Sequence, residues 1–289
     1  MISKNFLVAI LSLNVALNAH AGNLENEMLN SYVADTSYQV PTYEDLQTGQ
    51  VLFESILKDK AIKSQDVIAW RKLGFTLKLV KEGARKYAVI GETDPTQGKG
   101  LGFYVINLNA GNSQDILEAP HRPSDLYTHL IIYKLFTEGN YLAGAWNTTN
   151  RNIVDFGKHT SSYYNAFTIA VAKVLETPKL IQLHAFDTSN IKVEGDIILS
   201  STTRTPSLEY AQVANCLQTQ IAAPQQIVVL QYPKDVRNLG GTQNINAKKF
   251  YETNPNGKFF HVETSKLFRE LLRDTESMRK IFTKCFIGS

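Results

Sequence analysis

From about residue 115 to the C-terminus, short apolar runs alternate with segments of helical periodicity, and this alternation constrains the fold more than any other feature of the chain. Strands are expected over 115–119, 141–146, 180–186, 196–200, 226–232 and 259–264. Helices are expected over 125–136, 161–175 and 207–221, with one or two more over 266–286. Strands that alternate with helices imply an α/β fold, with a largely parallel sheet covered on both faces. In open α/β sheets ligands sit beyond the carboxyl ends of the strands, so the polar residues that follow each apolar run are the ones to read most closely.

The segment 22–110 is less informative. Residues 30–47 are polar, contain Pro41 and lack periodicity. A helix is expected over 51–62 and a half-buried strand over 75–80, where apolar and polar residues alternate. Two more strands, 86–90 and 102–107, flank the Gly-rich turn Gln97-Gly-Lys-Gly-Leu-Gly102. That turn lacks P-loop spacing, which favours a hairpin or simple loop over a phosphate cradle. The expected organisation is an α+β extension over 22–110, packed on or continuous with a main domain over 111–289.

The first residues stand apart. Lys4 is followed by an apolar stretch over 6–17, interrupted only by Ser12 and Asn14, and then by Ala19-His20-Ala21. This pattern reads as a secretory signal peptide over 1–21, cut after Ala21, with a secreted or periplasmic product. Its apolar run is short of the roughly 20 residues that a membrane span needs. No lipobox cysteine is present, and no later stretch is long and apolar enough to span a bilayer. The remaining 268 of the 289 residues carry 29 basic and 27 acidic side chains, one Lys having gone with the leader, for a net charge of +2. That balance argues against nucleic acid or an anionic membrane as partner. A content of 43% hydrophobic and 20% charged residues excludes disordered and low-complexity classes. Cys216 and Cys285 are the only cysteines. A bridge and two isolated buried thiols are both open, and neither cysteine has a metal-type partner spacing.

Four features at strand ends are candidates for chemistry. The strand Ile116-Leu-Glu-Ala-Pro ends at His121, and Asp125 follows four residues later, where the next helix is expected to open. A histidine and a carboxylate separated by one short turn can face one point, as the first two ligands of a zinc ion must. The plainer alternative is a loop histidine beside an N-cap aspartate. Glu118 is the rival carboxylate, although strand alternation aims it less naturally at the site. His184 lies near the end of the apolar strand Leu180-Ile-Gln-Leu-His, where a satisfied core histidine is the plainer alternative. Two histidines and a carboxylate with an open fourth position make the catalytic type of zinc site. In Phe259-Phe-His-Val-Glu263, Glu263 and His261 share a strand face. A carboxylate buried there near a zinc-bound water can act as general base and then general acid, an exposed edge-strand glutamate paired with a lysine being the plainer alternative, and His261 is expected as a packing or supporting group. Arg151, in Trp146-Asn-Thr-Thr-Asn150-Arg151, follows a strand and can grip a carboxylate bidentately, although taken alone a surface-loop arginine is the plainer reading. His129 and His159 are isolated, and Ser200-Ser-Thr-Thr-Arg204 after a strand is a candidate substrate loop. No Gly-x-Ser-x-Gly elbow accompanies any serine, which argues against a serine hydrolase.

The order Pro-His…Asp, Asn-Arg, Leu-His-Ala-Phe and His-Val-Glu, each following a strand over roughly 115–275, resembles the zinc-carboxypeptidase-like hydrolases. It is most similar to their N-formylglutamate amidohydrolase branch and to related secreted proteins of unassigned substrate. The resemblance implies a phosphorylase/hydrolase-like three-layer α/β domain with a mixed, mostly parallel sheet. It implies Zn2+ held by His121, His184 and Asp125, Glu263 as the catalytic glutamate, and Arg151 with Asn150 as the clamp for a substrate carboxylate. Carboxypeptidases proper space the first pair His-x-x-Glu, whereas position 124 here is Ser and the acid is Asp125, so Asp125 and Glu118 both stay open as the carboxylate ligand. Gly240-Gly-Thr-Gln-Asn244 looks like a family loop near the active site. The function so implied is secreted, zinc-dependent hydrolysis of an amide or peptide bond in a small molecule or peptide bearing a carboxylate. The alternative is a non-catalytic secreted binding or interaction protein on the same scaffold.

Overall fold

Among the described residues nine strands build one sheet: β1 (Phe75–Glu82), β2 (Arg85–Glu92), β3 (Phe103–Asn107), β4 (Asp115–Ala119), β5 (Ala143–Trp146), β6 (Lys179–Ala185), β7 (Ile197–Ser200), β8 (Val229–Gln231) and β9 (Lys258–Thr264). They lie in the order β1-β2-β3-β5-β4-β6-β9-β7-β8 in the computed structural model, which describes residues 23–33, 37–187 and 193–288. The signal peptide expected over 1–21 lies outside the described residues. Parallel pairing joins β5, β4, β6 and β9 into a central block and β7 to β8 at one edge. The pairings β1–β2, β2–β3, β3–β5 and β7–β9 are antiparallel. The sheet is therefore mixed. Its parallel part is confined to the centre and one edge, because residues 75–107 run as a meander that needs no crossover helix.

Among the described residues ten α-helices accompany the strands: α1 (Leu24–Asn30), α2 (Tyr43–Asp59), α3 (Ser64–Lys72), α4 (Thr128–Glu138), α5 (Tyr163–Val174), α6 (Leu208–Leu217), α7 (Ala223–Gln225), α8 (Ile245–Thr253), α9 (Lys266–Asp274) and α10 (Glu276–Ile287). They cover both faces of the sheet. On one face Leu117, Ile181, Leu183, Phe260 and Val262 pack against apolar residues of α4, α6, α9 and α10. On the other, Tyr104, Ile116, Leu180 and Phe259 pack against α2, α3, α5 and α8, with Phe53, Trp70, Phe167 and Phe250 among the contacts. Successive strand residues alternate faces. The alternation that sends Ile116, Leu180 and Phe259 to the second face sends Glu118, Gln182, His184, His261 and Glu263 there too.

Several boundaries differ from the sequence reading. The helix expected from 125 begins at Thr128, after Tyr127 at a left-handed φ of 71°, so Asp125 belongs to the preceding turn. The helix expected over 207–221 divides into α6 and the π-helical turn Gln218–Ala222. The strand expected over 226–232 shortens to β8. Helices α1, α3 and α8 carry few buried apolar residues each, so their periodicity is faint. The Gly-rich turn links the antiparallel pair β2 and β3. Its N–H groups at Lys99 and Leu101 donate to the carboxylate of Glu92, so an internal acid occupies the position a phosphate would need.

Cys216 on α6 and Cys285 on α10 form a disulfide with a Cα–Cα separation of 5.5 Å. Among the described residues no helix is long and apolar enough to cross a membrane. Because the bridge closes a loop with a sequence separation of 69, its removal frees that much chain in the unfolded state. Chain entropy alone puts the effect at about 4 kcal/mol. The double variant Cys216→Ala/Cys285→Ala is expected to lose about 2–4 kcal/mol in denaturant unfolding; an unchanged midpoint and slope would show that the crosslink contributes nothing.

Candidate metal centre

The parallel register brings the candidate residues to one edge of the central block. Ala119 ends β4, and the turn that follows carries His121 and Asp125, with the Asp125 N–H donating to the His121 carbonyl at 2.9 Å. His184 is the penultimate residue of β6 and lies in register with Glu263 on β9. His121 Nδ1 is 3.1 Å from His184 Nδ1 and 3.2 Å from Asp125 Oδ2, and His184 Nδ1 is 3.4 Å from the same oxygen. All three side chains are buried. Among the described residues, His121, Asp125 and His184 are the one group of this kind able to share a metal ion.

The outer nitrogen of each imidazole settles its tautomer. His121 Nε2 lies 2.8 Å from Asp155 Oδ1, a carboxylate that can only accept, so Nε2 carries hydrogen. His184 Nε2 lies 2.8 Å from Gln182 Oε1, also an acceptor, so that nitrogen is protonated as well. Both Nδ1 lone pairs can then face inward beside the Asp125 carboxylate. Three electron-pair donors this close repel one another unless a cation lies among them. Two imidazoles and one carboxylate, each imidazole donating outward to a fixed acceptor, are the donor set and support that zinc takes. The same set fits Zn2+ here.

The two imidazoles are shifted in opposite directions. Burial works against a charge on His121, but its hydrogen bonds to Asp125 and Asp155 outweigh burial and raise its pKa. Burial and the neighbouring His261 push His184 down to about 4. Burial would raise Asp125, yet the two adjoining imidazoles hold it well below the ordinary carboxylate range. Asp125 Oδ2 also accepts the Ala185 N–H at 3.1 Å, which ties the turn after β4 to the end of β6.

These residues line a cleft of about 160 Å³, together with Arg151, Asp155, Lys158, Gly241, Asn244, His261 and Glu263. Glu263 Oε1 accepts from His261 Nε2 at 3.2 Å, while Oε2 is buried with no hydrogen-bond partner among the described residues. The His261 ring packs on His184 with centroids 4.2 Å apart. Gly241 follows the same ring closely: a Cβ there would lie 2.7 Å from it, and φ is +60°, so this position requires glycine. Arg151 Nη1 donates to Asp125 Oδ1 at 3.3 Å and Nη2 to Asp155 Oδ2 at 3.2 Å. One guanidinium thus links the carboxylate facing the histidines to the carboxylate that orients His121.

Other candidates lie elsewhere. Glu118 is fully buried beneath the cleft, where it accepts from Thr168 Oγ1 at 2.9 Å and Gln182 Nε2 at 2.7 Å; it is absent from the group around the histidines. Asn150 is not among the cleft-lining residues. Its side chain accepts the Asn152 N–H at 3.0 Å, and its carbonyl accepts the Ile153 N–H at 2.9 Å, so it shapes the turn that carries Arg151. Ser200 is spent on the Gly240 carbonyl at 2.8 Å, and Ser201 to Arg204 stay outside the cleft lining. His129 sits on α4, and His159 accepts the Ser161 N–H at 3.2 Å. The loop 240–244 reaches the cleft through Gly241 and Asn244, whereas sequence reasoning missed Asp155 and Gln182. Gln182 could have been found, since it precedes His184 by two on the same strand face. Asp155 follows Arg151 by four residues in a turn, where no periodicity marks it.

No protein-family model matches the chain, and no curated protein matches it. Among solved structures it is similar to a bacteriophage poly-gamma-glutamate hydrolase, at 9% identity and a TM-score of 0.40, over 62% of this chain and 84% of that one. It is also similar to YndL in a zinc-free apo form, at 16% identity and a TM-score of 0.39, over 61% of this chain and 84% of that one. A third is a candidate carboxypeptidase A from Shewanella denitrificans OS-217, at 9% identity and a TM-score of 0.37, over 74% of this chain and 75% of that one.

Burial without a counter-charge pushes the Glu118 carboxyl up from 4.5 to about 7, against the opposing pull of Gln182 and Thr168. The unfolded chain releases this proton from about pH 4.5 and the native protein only near pH 7, so the native state holds more protons in that window. Stability contributed by this group therefore falls as pH rises. Relative to Glu118→Gln, the wild type is expected to lose about 3 kcal/mol between pH 4.5 and pH 8. Parallel pH profiles of unfolding free energy for the two proteins would refute this assignment.

Proposed function

We propose that the protein is a secreted zinc-dependent hydrolase that cleaves an amide or peptide bond in a small molecule or peptide bearing a carboxylate. The observation that carries this reading is the meeting of two inward-facing Nδ1 atoms and the Asp125 carboxylate in a cleft that Glu263 also lines, its Oε2 buried and without a hydrogen-bond partner among the described residues. His121, Asp125 and His184 would hold the ion and leave a position open to the cleft. Bound zinc supplies Lewis acidity there, polarising the scissile carbonyl and lowering the pKa of water.

The remaining work falls to the chain's own residues. Glu263 takes the proton of the attacking water at Oε2 as the oxygen–carbon bond forms. It then delivers that proton to the leaving nitrogen as the carbon–nitrogen bond breaks. His261 holds Glu263 Oε1, which leaves Oε2 as the oxygen without a partner among the described residues and so the one available to take a proton. Arg151 has two of its five N–H groups committed to Asp125 and Asp155, and its side chain stays 33% exposed, so further donors remain for a substrate carboxylate. Asn150 supports the turn from which Arg151 reaches in. Export is supported by the leader-like pattern over 1–21 and by the Cys216–Cys285 bridge, a bond that persists in oxidising compartments.

Two measurements test the reading. The purified wild type should carry or take up one zinc per chain by elemental analysis, and His184→Ala should carry none. Assayed on a panel of N-acyl amino acids and short peptides, Glu263→Gln should retain the metal and lose about 10²–10⁴-fold in turnover. A wild type that binds no zinc, or a Glu263→Gln variant that hydrolyses at the parent rate, would overturn the proposal.

A further inference from the structure

Beneath the centre, a row of buried polar side chains crosses the sheet. Register pairs Glu118 of β4 with Gln182 of β6, and Gln182 with His261 of β9. Glu118 and Gln182 are fully buried beside a core of aliphatic and aromatic side chains. Unpaired polar groups are costly in such surroundings, so each hydrogen bond in the row is constrained by its neighbours.

We propose that Gln182, oriented by Glu118 and Asn244, is a positioning residue that fixes His184 as its Nε2–H tautomer and so keeps the Nδ1 lone pair on the cation side. The inference rests on the metal-centre reading and extends it to residues outside the ligand set. Its force comes from the two ends of the Gln182 amide. At one end, Nε2 donates to Glu118 Oε2 at 2.7 Å and to Asn246 Oδ1 at 3.3 Å. At the other, Oε1 accepts from His184 Nε2 at 2.8 Å and from Asn244 Nδ2. Asn244 is itself fixed, because its Oδ1 caps α8 by accepting the Ala247 N–H at 3.1 Å, which leaves Nδ2 to face Gln182. A flipped Gln182 amide would set its oxygen against two acceptors and its NH2 against the donor Asn244. It would also demand a lone pair at His184 Nε2, which moves the imidazole proton to Nδ1 and removes that nitrogen as a ligand.

Glu118 holds this orientation in either protonation state. Thr168 Oγ1 lies 2.9 Å from Glu118 and 3.1 Å from the Tyr164 carbonyl, so its hydroxyl can donate to the carbonyl and accept from a protonated Glu118. Gln182 Nε2 keeps an oxygen to donate to throughout. An amide at position 118 offers the same pair of contacts, its oxygen to Gln182 and its NH2 to Thr168. An apolar side chain there offers neither.

The test is zinc affinity by chelator competition on the full mature chain, with long-range ¹H–¹⁵N spectra of the apo protein to read the His184 tautomer. Gln182→Leu is expected to lose about 10–100-fold in affinity, the range typical for groups that support a metal-ligating histidine. Glu118→Met should weaken binding in the same direction, Glu118→Gln should stay within about twofold of wild type, and Gln182→Leu/Glu118→Met should be no weaker than Gln182→Leu alone. The apo wild type should show His184 protonated at Nε2. A folded Gln182→Leu variant that binds zinc like its parent overturns the inference, as does a wild-type His184 protonated at Nδ1; the second result decides the matter even where Gln182→Leu does not fold. A wild type that fails to bind zinc at all, like the His184→Ala control, instead removes the metal-centre reading.

Discussion

Parallel pairing of β4, β6 and β9 is the constraint on which everything at the cleft depends. The side-chain period of a strand is two, so a slip of one residue in β6 would carry His184 and Gln182 to the opposite face. There they would meet Leu117, Phe260 and Val262, in the layer packed by α4, α6, α9 and α10. The register is held by the apolar members of the same strands. Leu180 and Phe259 belong to one core, Ile181, Leu183, Phe260 and Val262 to the other, and a slip would exchange them. Hydrophobic burial of roughly 25 cal/mol per Å² of apolar surface thus fixes, without any contact to an ion, where the imidazoles point.

Within that frame the site is organised by groups that can play only one role. Asp155 can only accept, so His121 donates outward. Asn244 is committed to capping α8, so Gln182 presents its oxygen to Asn244 and to His184. Arg151 can only donate, and it bridges Asp125 and Asp155. Each commitment lowers the number of arrangements open to the three inner donors. Preorganisation of this kind matters because an ion gains most when its ligands need not be reordered on binding.

Much of this was legible in the sequence. Alternating patterns indicated a covered α/β sheet, and the carboxyl ends of 115–119, 180–186 and 259–264 pointed to His121, His184 and Glu263, which the structure places around one cleft. The choice between Asp125 and Glu118 was not legible, because it turns on the loop after β4: the helix starts at Thr128, and the intervening turn folds Asp125 back on His121. Asp155 was invisible for a related reason: it sits in an irregular segment where spacing carries no directional information, and it reaches the cleft only through tertiary packing. The loop ending at Asn244 was marked by resemblance, but the role of Asn244 beside Gln182 was not. The bridge between Cys216 and Cys285 was likewise undecidable from spacing, since it depends on α10 crossing beside α6.

Charge connects the centre to what it can recognise. The cleft lining holds three carboxylates, Asp125, Asp155 and Glu263, against two fixed cations, Arg151 and Lys158. With neutral histidines that lining carries one net negative charge, which repels an anionic ligand. A bound dication reverses the sign to one net positive charge inside a partly enclosed, low-dielectric cleft, where each unit of charge counts for more than in water. Arg151 alone cannot make this surface attractive to a carboxylate, because two of its N–H groups already neutralise Asp125 and Asp155. On the proposed reading, the ion and a substrate carboxylate would be coupled through the same guanidinium. A cation held by Asp125 would draw charge from it and weaken its hold on Arg151, whose side chain would then be freer to turn toward a ligand.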